Sequence, residues 1–305
     1  MCANCGCAGS GATVLNLDTG ETTKVPDRQE NPIHRAEPHP HAHGAADHDH
    51  HQPAHEHAHG HSYSHGDAHG HVHSHHAPHG TGFDIVEIEA RVLAKNDTTA
   101  AKNRAWFAGR EILALNLVSS AGAGKTALLE RTIRDLGNEL PIYVIEGDQA
   151  TANDSDRIRK AGASAVQVNT GTGCHLDAEM VARAVGALKP PAAAAVLIEN
   201  VGNLVCPALF DLGERAKVVV FSVTDGEDKP LKYPYMFRAA GVVIVNKVDL
   251  LPHLEFVLEA AVANVRRVNP DARIIKLSAR TGEGTAEWYD WIRNEFALAR
   301  QAAFA

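Results

Sequence analysis

Between residues 112 and 299 the chain alternates short apolar runs with amphipathic segments, and this alternation constrains its fold more than any other feature. The runs are 112–118, 142–145, 165–168, 194–198, 218–223, 242–245 and 274–277. The amphipathic segments are 125–137, 151–161, 176–187, 231–239, 254–268 and 285–299. Strands that are apolar throughout, rather than at every second position, are buried on both faces; separated by helices, they predict a parallel sheet covered on each side. Upstream, 84–107 places Val86, Leu93 and later apolar residues at helical spacing, which predicts one or two further helices. Residues 83–305 thus read as one α/β domain, a mostly parallel sheet flanked by helices.

The first 80 residues have a different texture. They begin MCANCGC, and 8–33 are small and polar without an amphipathic period, which predicts a linker. Of the 20 histidines in 305 residues, 18 fall between positions 34 and 79. Residues 39–79 contain no Lys or Arg and a single aromatic, Tyr63. Such a tract cannot bury enough apolar surface to offset chain entropy, so 34–80 is expected to be disordered without metal. The expected organisation is a terminal Cys motif and linker (1–33), a His-rich segment (34–80) and the α/β domain (83–305).

Charge and apolar length exclude some partners. With 29 basic and 37 acidic residues the net charge is −8, so a nucleic acid is not the expected partner. No run approaches the roughly 18–20 apolar residues of a bilayer span, and no secretory signal opens the chain. A soluble, cytoplasmic protein is expected, and there five cysteines point to metal ligation or redox work rather than a disulfide framework.

The segment LNLVSSAGAGKTALLE runs strand, small-residue loop, helix. Residues 119–126 fit the phosphate-loop pattern G-x-x-x-x-G-K-[ST], with Ser119 in place of the first glycine. Backbone N–H groups from Gly122, Ala123, Gly124 and Ala127 would meet phosphate at a helix N-terminus. Lys125 should reach the β- and γ-phosphates, and the Thr126 hydroxyl should hold Mg²⁺. Downstream, VVIVNKVDL ends a strand in the N-K-x-D pattern that GTPases use for guanine. Asp249 would accept from the N1–H and 2-amino groups of guanine, a donor pair that adenine lacks. Asn246 would bond the base edge and the loop, the Lys247 stem would cover the base, and a backbone N–H near Ala279, after Ser278, would meet the guanine oxygen. These elements select GTP/GDP.

Two strands end in acids. YVIEGDQAT contributes Glu146 and Asp148, and VLIENVGNL contributes Glu199 and Gly202. The second resembles the D-x-x-G sensor of γ-phosphate, with Glu for Asp. Asp148 is assigned to Mg²⁺ or to the attacking water and Glu199 to the outer shell of the metal, while Glu146 reads equally as a strand-end acid. With no water-orienting Gln in evidence, slow hydrolysis is expected.

The cysteines form three sets. Cys2, Cys5 and Cys7 place three thiolates within six residues, enough to close around one soft or borderline ion. Cys174 and His175 are adjacent, and Cys206 follows Gly202 by four residues. All three lie on loops at strand ends beside the nucleotide, and a water or a second subunit would complete such a site. His253 reads as structural or surface. Cys and His suit Ni²⁺ and Zn²⁺ alike, so metal storage and zinc delivery are both open readings of these donors.

C-x-x-C-G-C, the His-rich spacer, SSAGAGKT, EGDQAT, TGTGCHLDA, IENVGNLVCP, VTDGEDKPLKYP and NKVDLLP occur in that order. In this combination the chain resembles the hydrogenase nickel-incorporation GTPases of the HypB family and, beyond them, the urease accessory GTPases. The resemblance implies delivery of Ni²⁺ to the large subunit of [NiFe] hydrogenase. It implies a high-affinity nickel site at Cys2, Cys5 and Cys7, and a weaker Ni²⁺ or Zn²⁺ site at Cys174, His175 and Cys206. That second site would lie at the interface of a homodimer promoted by GTP or metal. It also implies partnership with the zinc-containing accessory protein HypA.

Overall fold

The computed structural model describes residues 12–24, 85–148, 153–171 and 173–301. The terminal cysteines Cys2, Cys5 and Cys7 and the His-rich segment lie outside the described residues.

Nine strands form one sheet: β1 (Thr13–Asn16), β2 (Thr22–Lys24), β3 (Leu113–Ser119), β4 (Ile142–Asp148), β5 (Ser164–Asn169), β6 (Ala195–Glu199), β7 (Ala216–Ser222), β8 (Ala240–Asn246) and β9 (Arg273–Lys276). The helices are α1 (Ile85–Ala108), α2 (Lys125–Leu136), α3 (Asn153–Ala161), α4 (Ala178–Leu188), α5 (Cys206–Leu209), α6 (Lys229–Lys232), α7 (Pro234–Arg238), α8 (Leu258–Val268) and α9 (Thr285–Gln301). The strand order is β2-β1-β5-β4-β6-β3-β7-β8-β9. All seven apolar runs became strands, and β3 to β9 pair in parallel.

Both faces of the sheet are covered, as the continuous apolar runs require. Leu113, Leu115 and Leu117 of β3 pack with Leu128, Leu129 and Ile133 of α2 and Trp288 of α9. Ala114, one residue out of phase, joins the opposite core with Phe107 of α1 and Val181 of α4. A third cluster packs Val219, Phe221 and Val243 against Phe237 of α7 and Val265 of α8. The chain leaves β3 through α2, passes beyond β6 to β4 and later returns to β6. That reversal opens a crevice at the carboxyl ends of the strands.

Two local readings change and a third is narrowed. The expected linker over 8–33 contains a hairpin: β1 pairs antiparallel with β2 and with β5, extending the sheet by two strands. Its turn is held by the Asn16 side chain, whose Oδ1 accepts from the N–H groups of Asp18 and Thr19 at 2.9 and 3.1 Å. Only Val14 of β1 and the preceding Ala12 are fully buried, so the apolar signal was too short to stand out, although T-V-L-N and T-T-K carry β-branched residues around a D-T-G turn. Burying Val14 contributes roughly 1.5–3 kcal/mol. The segment 231–239 is two short helices, broken at Tyr233 because Pro234 disfavours a helical conformation in the residue before it. Upstream, 85–108 is one helix.

Candidate nucleotide and metal sites

Strand β3 ends at Ser119 and α2 begins at Lys125, so the phosphate pattern forms the turn between the central strand and its helix. Gly124 sits there at φ +98°, where a Cβ would come within 2.5 Å of the Asn246 Nδ2. No side chain caps α2, which leaves its N-terminal dipole directed at the crevice. The Lys125 ammonium donates to the Ser119 hydroxyl at 2.7 Å, so the residue that departs from the motif holds the motif's lysine. The Thr126 hydroxyl donates to Glu199 Oε1, also at 2.7 Å. Ser120, next in the loop, donates to Asp225 Oδ2 at 3.0 Å and ties the loop to the end of β7.

Above the loop lies a cavity of about 360 Å³ whose walls include Glu146, Gly147, Arg157, Glu199, Asn200 and Gly202. Glu146 and Glu199 stand opposite one another on paired β4 and β6, both buried. Strand β4 closes at Asp148, whose side chain lies outside the described set.

The residues expected to recognise a base meet beside this loop. Asn246 is buried and bridges two elements: its Nδ2 donates to the Ala123 carbonyl at 2.9 Å, and its Oδ1 accepts from the N–H groups of Lys247 at 2.8 Å and Ala279 at 3.1 Å. Asn246 therefore braces the site, and the Ala279 N–H expected to meet a base oxygen is shared with it. Lys247, left-handed at φ +63°, donates from Nζ to the Gly122 carbonyl at 2.7 Å. Ser278 is buried and accepts from the Thr281 N–H at 3.1 Å. Asp249 lies in the 3-10 turn Val248–His253, and its Oδ1 is buried with no hydrogen-bond partner among the described residues. A buried carboxylate oxygen in that state is costly unless a ligand supplies donors, which guanine does. His253 ends the same turn, exposed.

Cys174 and His175 lie between β5 and α4, and Cys206 opens α5 beyond β6. The two loops flank the end of β4, which separates their strands. Cys174 Sγ is 2.9 Å from Cys206 Sγ and 3.7 Å from His175 Nδ1, and the three potential ligand atoms all lie within 4.8 Å of one another. The crossing is possible because Gly147 of β4 has no side chain: a Cβ there would come within 2.7 Å of Leu176. His175 is buried and stacks on Phe210, with ring centroids 3.9 Å apart. Two thiols and an imidazole form a donor set suited to Ni²⁺ or Zn²⁺.

Sequence reasoning missed the asparagines that join the two sites. Asn200, next to Glu199, accepts from the Leu176 N–H at 3.1 Å and the Val201 N–H at 3.0 Å. Its Nδ2 donates to Asn116 Oδ1 at 3.2 Å, and Asn116 donates to the buried Glu214 carboxylate at 3.0 Å. Asn203, next to Gly202, donates to the Cys174 carbonyl at 3.4 Å. The segment that follows β6 is thus hydrogen-bonded to Cys174 and to Leu176, the residues on either side of His175. The only linear signal was their presence in the strand-end string E-N-V-G-N.

A parallel sheet with a phosphate loop after its central strand, and a guanine-type N-K-x-D turn two strands away, defines a nucleotide-binding protein of the P-loop GTPase fold. Residues 113–276 match the family described as "CobW/HypB/UreG, nucleotide-binding domain". The hydrogenase maturation factor HypB of Rhizobium leguminosarum bv. viciae is 57% identical over 227 residues, 74% of this chain and 75% of that protein. HypB of Escherichia coli K12 is 53% identical over 233 residues, 76% and 79% of the two chains. Among solved structures, HypB from Archaeoglobus fulgidus superposes with a TM-score of 0.63 at 40% identity, covering 67% of this chain and 99% of that one. HypB from Helicobacter pylori in complex with nickel gives 0.62 at 36% identity, covering 67% and 96%. The chain belongs to the CobW/HypB/UreG family and, within it, to the HypB group.

Proposed function

We propose that this protein is a GTP-hydrolysing nickel metallochaperone that delivers Ni²⁺ to the large subunit of [NiFe] hydrogenase during maturation. One observation carries the reading: Cys174, His175 and Cys206 converge on the strand ends that form the nucleotide crevice, hydrogen-bonded to its γ-phosphate segment through Asn200 and Asn203. The names of the relatives, and the nickel complex of the Helicobacter pylori protein, support the choice of cargo and client.

Asp249 selects guanine and Lys125 takes the β- and γ-phosphates. The Thr126 hydroxyl, bonded to the Glu199 carboxylate, is an oxygen ligand that fits Mg²⁺, with Glu199 in the outer shell and Asp148 proposed for the ion or the attacking water; bound there, Mg²⁺ would offset charge on the phosphates. Hydrolysis removes the group sensed at Glu199–Gly202. Movement of that segment carries Cys206 and, through Asn200 and Asn203, disturbs the loop bearing Cys174 and His175. Metal affinity and nucleotide state are then linked reciprocally.

Val205 and Leu209, exposed on either side of Cys206, are apolar side chains that a homodimer would cover, and a second copy there can complete the metal site. In this reading Cys2, Cys5 and Cys7 hold nickel tightly, residues 34–80 store it, HypA is the accessory partner, and Zn²⁺ competes for the inner site in the cytoplasm. The test is nickel affinity in the GDP-bound and GTP-analogue-bound protein. The two are expected to differ by about fivefold or more, with the difference reduced in Asn200→Ala; equal affinities would falsify the reading.

A further inference from the structure

We propose that Arg157 is a catalytic residue in γ-phosphate removal, supplied from within the chain. The inference rests on the GTP-hydrolysis reading above and assigns the group that neutralises the charge this reaction develops. Arg157 lies on α3 and lines the nucleotide cavity together with Lys125, Thr126, Glu146 and Glu199. Lys125 and Arg157 are the two cations among the described lining residues. The cavity must take a triphosphate while two buried carboxylates stand in its wall, so a second cation beside Lys125 has an electrostatic task.

Its pairing with Glu130 is one that it can give up for that task. The guanidinium forks onto Glu130 of α2, Nε to Oε1 and a terminal nitrogen to Oε2, both at 2.9 Å. The Arg157 side chain is 44% exposed, and an ion pair in such a position contributes little to stability. The same planar fork matches two oxygens of a phosphoryl group, so Glu130 can be exchanged for γ-phosphate with no loss of hydrogen-bond geometry. The residue after Gly202, where a water-orienting side chain would be sought, is Asn203, and it is committed elsewhere. Its Nδ2 donates to the Cys174 carbonyl at 3.4 Å and its Oδ1 accepts from the Val205 N–H at 2.8 Å.

In the step itself the oxygen of water forms a bond to the γ-phosphorus, and the bond from that phosphorus to the β–γ bridging oxygen breaks. The bridging oxygen keeps the electron pair as a terminal oxygen of GDP. The protons of water leave on inorganic phosphate and to solvent. Negative charge spreads over the transferring oxygens, and Arg157 donates to them there.

The test uses full-length protein with Mg²⁺. Single-turnover GTP hydrolysis and GTP affinity are measured for wild type, Arg157→Ala, Arg157→Lys and Glu130→Gln. Arg157→Ala is expected to lower the hydrolysis rate on the order of 10³-fold with affinity changed less than about threefold, and Arg157→Lys should restore little, because an ammonium lacks the fork. Glu130→Gln should hydrolyse GTP at least as fast as wild type. A GDP–aluminium fluoride complex, which mimics the transferring group, should form with wild type and not with Arg157→Ala. If Glu130→Gln reproduces the Arg157→Ala loss, Arg157 merely braces α3 against α2 and the proposal fails. It fails equally if Arg157→Ala hydrolyses normally or loses affinity in proportion to rate. A wild-type protein that does not hydrolyse GTP would overturn the underlying reading, and this assignment with it.

Discussion

The candidate nucleotide site and the candidate metal site share the same strand ends but are assembled by opposite means. The phosphate part of the first is one continuous turn, residues 119–126, whose groups are held in place by the strand before it and the helix after it. The metal site takes its donors from two loops 32 residues apart, which meet across the end of a strand belonging to neither. A local turn can be varied at one residue, as at Ser119, and keep its geometry. A site made by crossing loops depends on residues that bind nothing: Gly147, which leaves room for Leu176, and Asn200 and Asn203, which tie the two loops.

The largest expected effect falls on the base. Asp249→Ala removes the acceptor of two guanine donors, each bond to a charged group being worth about 1.5–3 kcal/mol, so GTP affinity should drop about 100-fold or more. Titration with GTP and ATP measures this, and nickel affinity of the nucleotide-free protein should be unchanged. Should metal binding fall as well, the two sites are not separable in the way their construction suggests.

Next is the metal corner. Cys206→Ser in a chain lacking Cys2, Cys5, Cys7 and the His-rich segment should weaken Ni²⁺ or Zn²⁺ binding by more than the roughly 10–100-fold typical of an outer partner, because a direct ligand is lost. Chelator competition reads the affinity. Retained tight binding would show that Cys174 and His175 find their remaining ligand elsewhere.

The smallest effect is expected far from both sites. The Tyr289 hydroxyl donates to Asp135 at 2.6 Å. Burial pushes the Asp135 carboxyl up, but the Tyr289 and Arg131 hydrogen bonds outweigh it and hold the group below its ordinary value. A depressed carboxyl contributes stability above its unfolded value and loses it as pH falls through the folded one. Tyr289→Phe should therefore cost about 0.5–1.5 kcal/mol at neutral pH, with the difference from wild type shrinking in acid. Thermal melts between neutral and acidic pH check this, and both ligand affinities should be unaltered.

Much of this was legible in the chain. Seven strands were visible as apolar runs because a sheet buried on both faces leaves no polar position to interrupt them. Lys125, Thr126, Asn246 and Asp249 stood out as candidates because the phosphate-loop and N-K-x-D patterns place their residues at short, fixed spacing. The hairpin at 13–24 was not, since its short strands bury little and belong to the sheet only through pairing with β5. Asn116, Asn200 and Arg157 were not, since an asparagine in a buried strand and an arginine on a polar helix carry no linear mark of what they touch.

By itself, then, the sequence determined the seven apolar strands, the phosphate turn and the N-K-x-D string, each of which is written within a few residues of chain. The tertiary structure decided that Cys174, His175 and Cys206, expected together at neighbouring strand ends, bring their ligand atoms within 4.8 Å of one another, and that Asn200 ties their loop to the Glu199–Gly202 segment. It also decided that Arg157 lines the cavity. These depend on which strands lie side by side, and strand order is set by packing over the whole sheet, not by any local stretch of chain.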